Sequence, residues 1–276
     1  LIVDNDINVK RNINIDKYLN VTKNINVDEY ILINKDLIVN ENINGKSNIN
    51  VDIDINVKRN INIDKYLNIA KNINIDEYIL VKKDIIVDNN ILVKKDIIID
   101  ENVNTKQNIN VDGSIIVNND INVKRNINID KYLNIQENIN ADKYVLVKKD
   151  IIIDENINGK SNINVDNDIN VKRNINIDKY LNIKENINAD KYVLVKKDLI
   201  VDENINTKQS INVDGSIIVD NDIDVKRNIN VDKYLNIKKN INVDNYILVK
   251  KDIIVDENIN TKKDINIDNN VNTKNI

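Results

Sequence analysis

The chain lacks cysteine, histidine, methionine, phenylalanine, tryptophan and proline, and it has only four glycines. Without cysteine there can be no disulfide, thiol nucleophile or thiolate metal site, and either redox compartment is open to it. With so few glycines, no Gly-rich loop can wrap calcium between turns. No apolar run approaches the roughly 18 residues of a membrane helix, so no membrane insertion is expected. Residue 1 is Leu, and no basic, signal-like segment follows it. Charge of one sign is also missing: 40 Lys and Arg face 44 Asp and Glu, for a net charge of −4. Both signs are interleaved along the chain, which predicts no basic face and no nucleic-acid partner. An irregular core needs varied shapes, whereas a lattice of identical rungs does not.

What is present is a six-residue unit. Ile7-Asn8-Val9-Lys10-Arg11-Asn12 and Ile13-Asn14-Ile15-Asp16-Lys17-Tyr18 both read apolar, polar, apolar and then three polar residues. The 276 residues are 46 such hexads without an insertion or deletion. Genomic AT bias can raise the content of Asn, Ile and Lys, but it cannot set the phase of the apolar residues. With positions named a to f, a is Ile, Leu or Val throughout. Position c is Val or Ile except at Gly45, Thr105, Ala141, Gly159, Ala189, Thr207, Thr261 and Thr273.

Apolar residues at i, i+2 and i+6 predict a short strand with one buried face, never a helix. The chain must turn at d, e and f, and three residues of strand with three of corner describe a β-solenoid. Position d decides the size of a turn, because it alternates Asp and Lys. With two hexads per turn, like charges would stack at about 4.8 Å, at a cost of up to about 1 kcal/mol per pair. With three, Lys82 lies between Asp64 and Asp100, and Lys172 between Asp154 and Asp190. Tyrosines twelve apart, such as Tyr18 and Tyr30 or Tyr66 and Tyr78, would instead stack in a two-sided coil.

The expected fold is therefore all-β, a single-stranded three-sided parallel β-helix of about 18 residues per turn, and both hands accept this sequence. It is expected to occupy residues 1–276 as one solenoid of about 15 turns and on the order of 70 Å, from the usual strand spacing. Asn and Asp at the corners are expected to take left-handed backbone. Leu1-Ile2-Val3 and Val271-Asn272-Thr273 read as ordinary hexads without caps, as in a window from a longer protein.

A longer repeat overlies the hexads. The segment from Ile7 recurs at Ile55, Ile121, Ile169 and Ile223, spaced by multiples of six that are not all multiples of eighteen. Whole hexads have been gained or lost, which argues against any face carrying a unique site. Hexapeptide-repeat acyltransferases share this coil size, but their histidine base has no counterpart here. No catalytic residue, cofactor or metal site is expected, and the chain reads as a non-enzyme.

Two surface features remain. Arg recurs in one place of the repeat, as Arg11, Arg59, Arg125, Arg173 and Arg227. These are candidate ligand corners for carbohydrate or phosphate, with pairing of Arg11 to Glu29 and Arg59 to Glu77 as the bland alternative. Apolar residues also stand at the outward position b: Leu32, Ile38, Leu80, Ile86, Leu92, Ile98, Leu146, Ile152, Leu194, Ile200, Leu248 and Ile254. Exposed aliphatics at intervals are candidates for lateral contacts between copies. The 48-residue spacings rotate them onto different sides, so no continuous stripe is expected. The remaining b positions, mostly Asn, should form amide ladders.

The run of apolar-x-apolar hexads resembles the bactofilins, polymer-forming proteins with a three-sided β-helix of similar coil size. The resemblance implies end-to-end assembly into nucleotide-free filaments and carries over no particular residue. The expected role is a structural filament subunit or rod segment whose main partner is itself. The alternative is a cell-surface stalk or adhesin that binds glycan or another surface.

Overall fold

The computed structural model describes residues 1–275. It consists of two compact units, Leu1–Gln136 and Glu137–Ile276. In each, the chain winds as a three-sided parallel β-solenoid, and every three-residue strand pairs with the strand 18 residues on. In the first unit Leu19–Val21, Leu37–Val39 and Ile55–Val57 stack on one face, termed the first. Ile25–Val27, Ile43–Gly45 and Ile61–Ile63 stack on the second face. Ile31–Ile33, Ile49–Val51 and Leu67–Ile69 stack on the third. The second unit winds in the same order: Val145–Val147 and Ile163–Val165 on its first face, Ile151–Ile153 and Ile169–Val171 on its second, and Ile157–Gly159 and Ile175–Ile177 on its third.

The strands form because a and c are aliphatic, mostly β-branched, and alternate across the pleat with a polar b. Packed in register, a and c make the interior columns; Ile61, Ile79 and Ile97, for example, are stacked and essentially inaccessible. Pairing runs past the strand ends, because the N–H of a donates to the f carbonyl of the next turn. Ile25 to Asn42 at 2.9 Å is one case. The N–H of d donates to the c carbonyl of the preceding turn, as Asp28 to Val9 at 3.1 Å. In the second unit one strand, Ile253–Thr261, continues round a corner and joins the first and second faces.

The corners correct one expectation. No described residue, glycine included, has a positive φ. The bend is shared over d, e and f with ordinary backbone, and the corner Asn and Asp serve as hydrogen-bonding residues instead. Each f-position amide or carboxylate oxygen faces the f residue one turn on. Asn24 Oδ1 accepts from both the N–H and the Nδ2 of Asn42, at 3.1 and 3.0 Å, and Asn42 Oδ1 does the same for Asn60. Tyr78 ends that ladder through its N–H alone, at 3.1 Å to Asn60 Oδ1. Tyr30 and Tyr66 end others in the same way. The tyrosines twelve apart therefore sit on different corners and do not stack.

Where c is threonine, the hydroxyl clips the corner. Thr105, Thr207 and Thr261 donate to the carbonyls of Asn89, Lys191 and Asn245 at 2.6, 2.7 and 2.6 Å. They accept in turn from the N–H two residues on, in Gln107, Gln209 and Lys263.

Candidate functional site

The candidate sites are surfaces, and the d columns show how the outside is organised. Most d lysines reach back one turn to an Asp, as Lys82 to Asp64 and Lys172 to Asp154, both at 2.8 Å. Lys94 to Asp76, Lys160 to Asp142, Lys196 to Asp178 and Lys250 to Asp232 follow the same rule. The alternation fails in one layer of the second unit. There Asp202 precedes Asp220, Lys208 precedes Lys226, and Asp214 precedes Asp232, each pair one turn apart in register. In the first unit Lys106 and Lys124, and Asp112 and Asp130, form a similar layer.

The hydrogen bonds to Asp64, Asp76, Asp142, Asp178 and Asp232, followed by the charges of those carboxylates, raise Lys82, Lys94, Lys160, Lys196 and Lys250 above the ordinary lysine value. A lysine raised in the fold contributes stability that is complete below its unfolded value of 10.5 and is lost as pH climbs through the raised value. These groups are exposed, so each contributes little. The thermal midpoint is expected to stay level from neutral pH up to that value and then decline. Melting curves recorded across that range test this, and a decline starting well below it would implicate other groups.

Position b carries the expected amide ladders. Asn26 donates to Asn8 and Asn44 to Asn26, both at 2.8 Å, and Asn62 continues to Asn44 at 2.9 Å. The ladders end where b is aliphatic. Asn20, Asn182 and Asn236 leave a buried Oδ1 without a partner because Ile38, Ile200 and Ile254 stand directly above them.

Of the outward aliphatics read from the sequence, Leu32, Ile38, Leu80, Ile86, Leu92, Ile98, Ile152 and Ile254 are exposed. Leu146, Leu194, Ile200 and Leu248 are half-buried. Ile116 and Ile218, in the two Asp-Gly-Ser-Ile-Ile-Val segments, are also exposed at b and were not among those expected. Ile116 changes the picture. Leu80, Ile98 and Ile116 stack on three successive turns of the second face, a short stripe where none was expected. In the second unit Ile200 and Ile218 stack on the first face.

The arginines do not converge. By register, Arg59 lies at a first-to-second corner, Arg125 at a third-to-first corner, and Arg11, Arg173 and Arg227 at second-to-third corners. The pairs expected from sequence do not form: Arg11 and Arg59 make no ion pair among the described residues, and Glu77 is held by Lys95 at 3.4 Å. Arg173 pairs instead with Glu155 of the preceding turn, Nε to Oε2 at 2.9 Å. Glu29 and Glu77 lie one turn later than their arginines, whereas Glu155 lies one turn earlier.

Among the described residues no three carboxylates converge on a point that could hold a metal ion. The fold and surface define the chain as a parallel β-solenoid of 18-residue turns with asparagine ladders. No family model matches it, nor does any curated protein or solved structure.

Proposed function

We propose that the protein is a structural subunit of a self-assembling filament or fibre, without catalytic activity. The observation that carries this reading is the equivalence of its rungs. Each turn offers the same strand N–H and carbonyl groups, the same aliphatic columns and largely the same amide ladders to the turn on either side. Pairing of that kind within a unit is also the pairing a second copy could offer, and unpaired strand edges are templates for it. The likeness to the bactofilins, a matter of hexad pattern and coil size, supports the same role. The short Leu80, Ile98 and Ile116 stripe suits lateral contact in such an assembly.

Electron microscopy of the purified chain at neutral pH, without nucleotide or other ligand, tests the proposal. Filaments with a meridional repeat near 4.8 Å are expected. Discrete particles of single-chain mass at all concentrations would overturn self-assembly and leave a spacer or stalk.

A further inference from the structure

The sign of charge, interleaved in the sequence, separates in space in the e column of one corner. All nine glutamates of the chain occupy position e, and by register each lies at a first-to-second or second-to-third corner. The e positions of the third-to-first corners carry no acid at all. In the second unit this corner presents Lys143, Lys179, Lys197, Lys233 and Lys251, all exposed. The first unit has Lys17, Lys35, Lys71 and Arg125 at the same register. The d-position lysines are mostly held by an aspartate one turn away, yet none of these five makes an ion pair among the described residues.

Most acids nearest the corner are already engaged. Asp142, Asp178 and Asp232, one residue before Lys143, Lys179 and Lys233, are held by Lys160, Lys196 and Lys250 at 2.7 to 2.8 Å. Asp198 and Asp252, one residue after Lys197 and Lys251, accept the N–H groups of Ser216 and Asn270. Asp214, beside Gly215, lies in the field of Lys196 and Lys250, which pair with Asp178 and Asp232. Lys179 and Lys197 occupy adjacent turns, as do Lys233 and Lys251, so like charges stand about 4.8 Å apart with no counter-charge of their own. Tyrosines accompany them: Lys197 lies over the ring of Tyr180 at 5.3 Å and Lys251 over Tyr234 at 5.1 Å.

We infer that the third-to-first corner of the second unit binds a linear acidic polysaccharide, with Lys179, Lys197, Lys233 and Lys251 meeting its carboxylates. The cations stand in single file along one edge, as two pairs of adjacent turns parted by the turn of Gly215, which suits a single extended chain lying along that edge. The pitch is close to the length of one sugar unit, and the exposed Tyr234 and half-buried Tyr180 offer contact to sugar faces. A nucleic-acid duplex would straddle the edge and meet the flanking aspartates. A single strand would need free ring faces for its bases, and lysine covers one face of each of these two rings. The inference stands apart from assembly, since a single copy carries the whole edge.

The test is fluorescence anisotropy of the intact chain against labelled polygalacturonate at low salt. The Lys179→Gln, Lys197→Gln, Lys233→Gln, Lys251→Gln variant is compared with a control that removes equal charge from the other corners. That control is Lys149→Gln, Lys191→Gln, Lys239→Gln, Lys263→Gln, with circular dichroism confirming that both variants keep their strands. Loss of about tenfold or more in affinity is expected for the first variant and little change for the control, with salt weakening native binding. An equal loss in both would reduce the effect to net charge and overturn the site. Failure of the native chain to bind, or tighter binding to single-stranded oligo(dT) or to anionic vesicles, would overturn the polysaccharide assignment.

Discussion

Replacing Ile175 by aspartate is expected to open the solenoid around it, at a cost of more than about 4 kcal/mol. Ile175 is fully buried in an interior column, with Ile157 one turn before it and Val193 one turn after. A carboxylate there can stay ionised only by leaving the column, and it takes its strand with it. Ile175→Val should cost only about 0.5 to 1.5 kcal/mol, because it removes one methylene from a site whose neighbours barely shift. Rungs touch only the rungs beside them, so the damage should remain local. Hydrogen exchange is expected to accelerate in the strands Ile157–Gly159 and Val193–Val195 while strands several turns away keep their protection. An aspartate variant that unfolds in urea within about 1 kcal/mol of the parent would show that these columns do not hold the fold together.

The glycines are expected to split into two pairs. A Cβ added at Gly215 would lie 2.4 Å from the carbonyl oxygen of Lys197 and from the Asp198 carboxylate. Gly113 meets Lys95 and Asp96 in the same way. Their backbone is ordinary, so the demand is for close approach: the corner presses on the one below, where Ser216 N–H donates to Asp198 at 2.8 Å. Gly215→Ala must push rigid backbone apart and should cost about 1 to 3 kcal/mol. At Gly159 the added Cβ meets only the tips of Ile163 and Ile177, both at 3.2 Å, and these can turn aside. Gly159→Ala should therefore be near neutral, the tight fit offset by about 0.4 to 1 kcal/mol from a stiffer unfolded chain. Urea unfolding of both variants measures the difference, and equal costs would refute the distinction between backbone and side-chain contact.

Much of the architecture was legible because its causes are periodic. The phase of Ile and Val named the strands, and the alternation of Asp and Lys at d chose the 18-residue turn over the twelve suggested by the tyrosines. The ion pair of Lys82 with Asp64 is that choice in physical form. What escaped is what the sequence order shuffles. Three corner columns are written into one string, so consecutive e residues of opposite sign looked like uniform mixing. Only every eighteenth residue shows that Lys179, Lys197, Lys233 and Lys251 share an e column without acids. Ile116 stands alone, with Asn110 and Asn122 at the b positions on either side, whereas the expected aliphatics come as neighbouring pairs, so the pattern marks neither it nor the stripe it completes. Corner Asn and Asp suggested left-handed turns by their usual conformational tolerance. Their role here is to accept hydrogen bonds from the next turn, a preference local sequence does not distinguish.

The layer in which Asp202, Lys208 and Asp214 meet Asp220, Lys226 and Asp232 resembles a stacking fault in a crystal. Gain or loss of one hexad slides the pattern by one face, and like charges then meet around a single turn. Beyond it, perfect order resumes: Lys238 returns to Asp220, Lys250 pairs with Asp232 at 2.8 Å, and Lys262 pairs with Asp244 at 2.8 Å. The misfit neither spreads nor accumulates, because no rung senses any but its neighbours. Chain length thereby becomes nearly a free variable, adjustable in steps of six residues, with each odd step leaving one planar scar that records where the lattice was cut and rejoined.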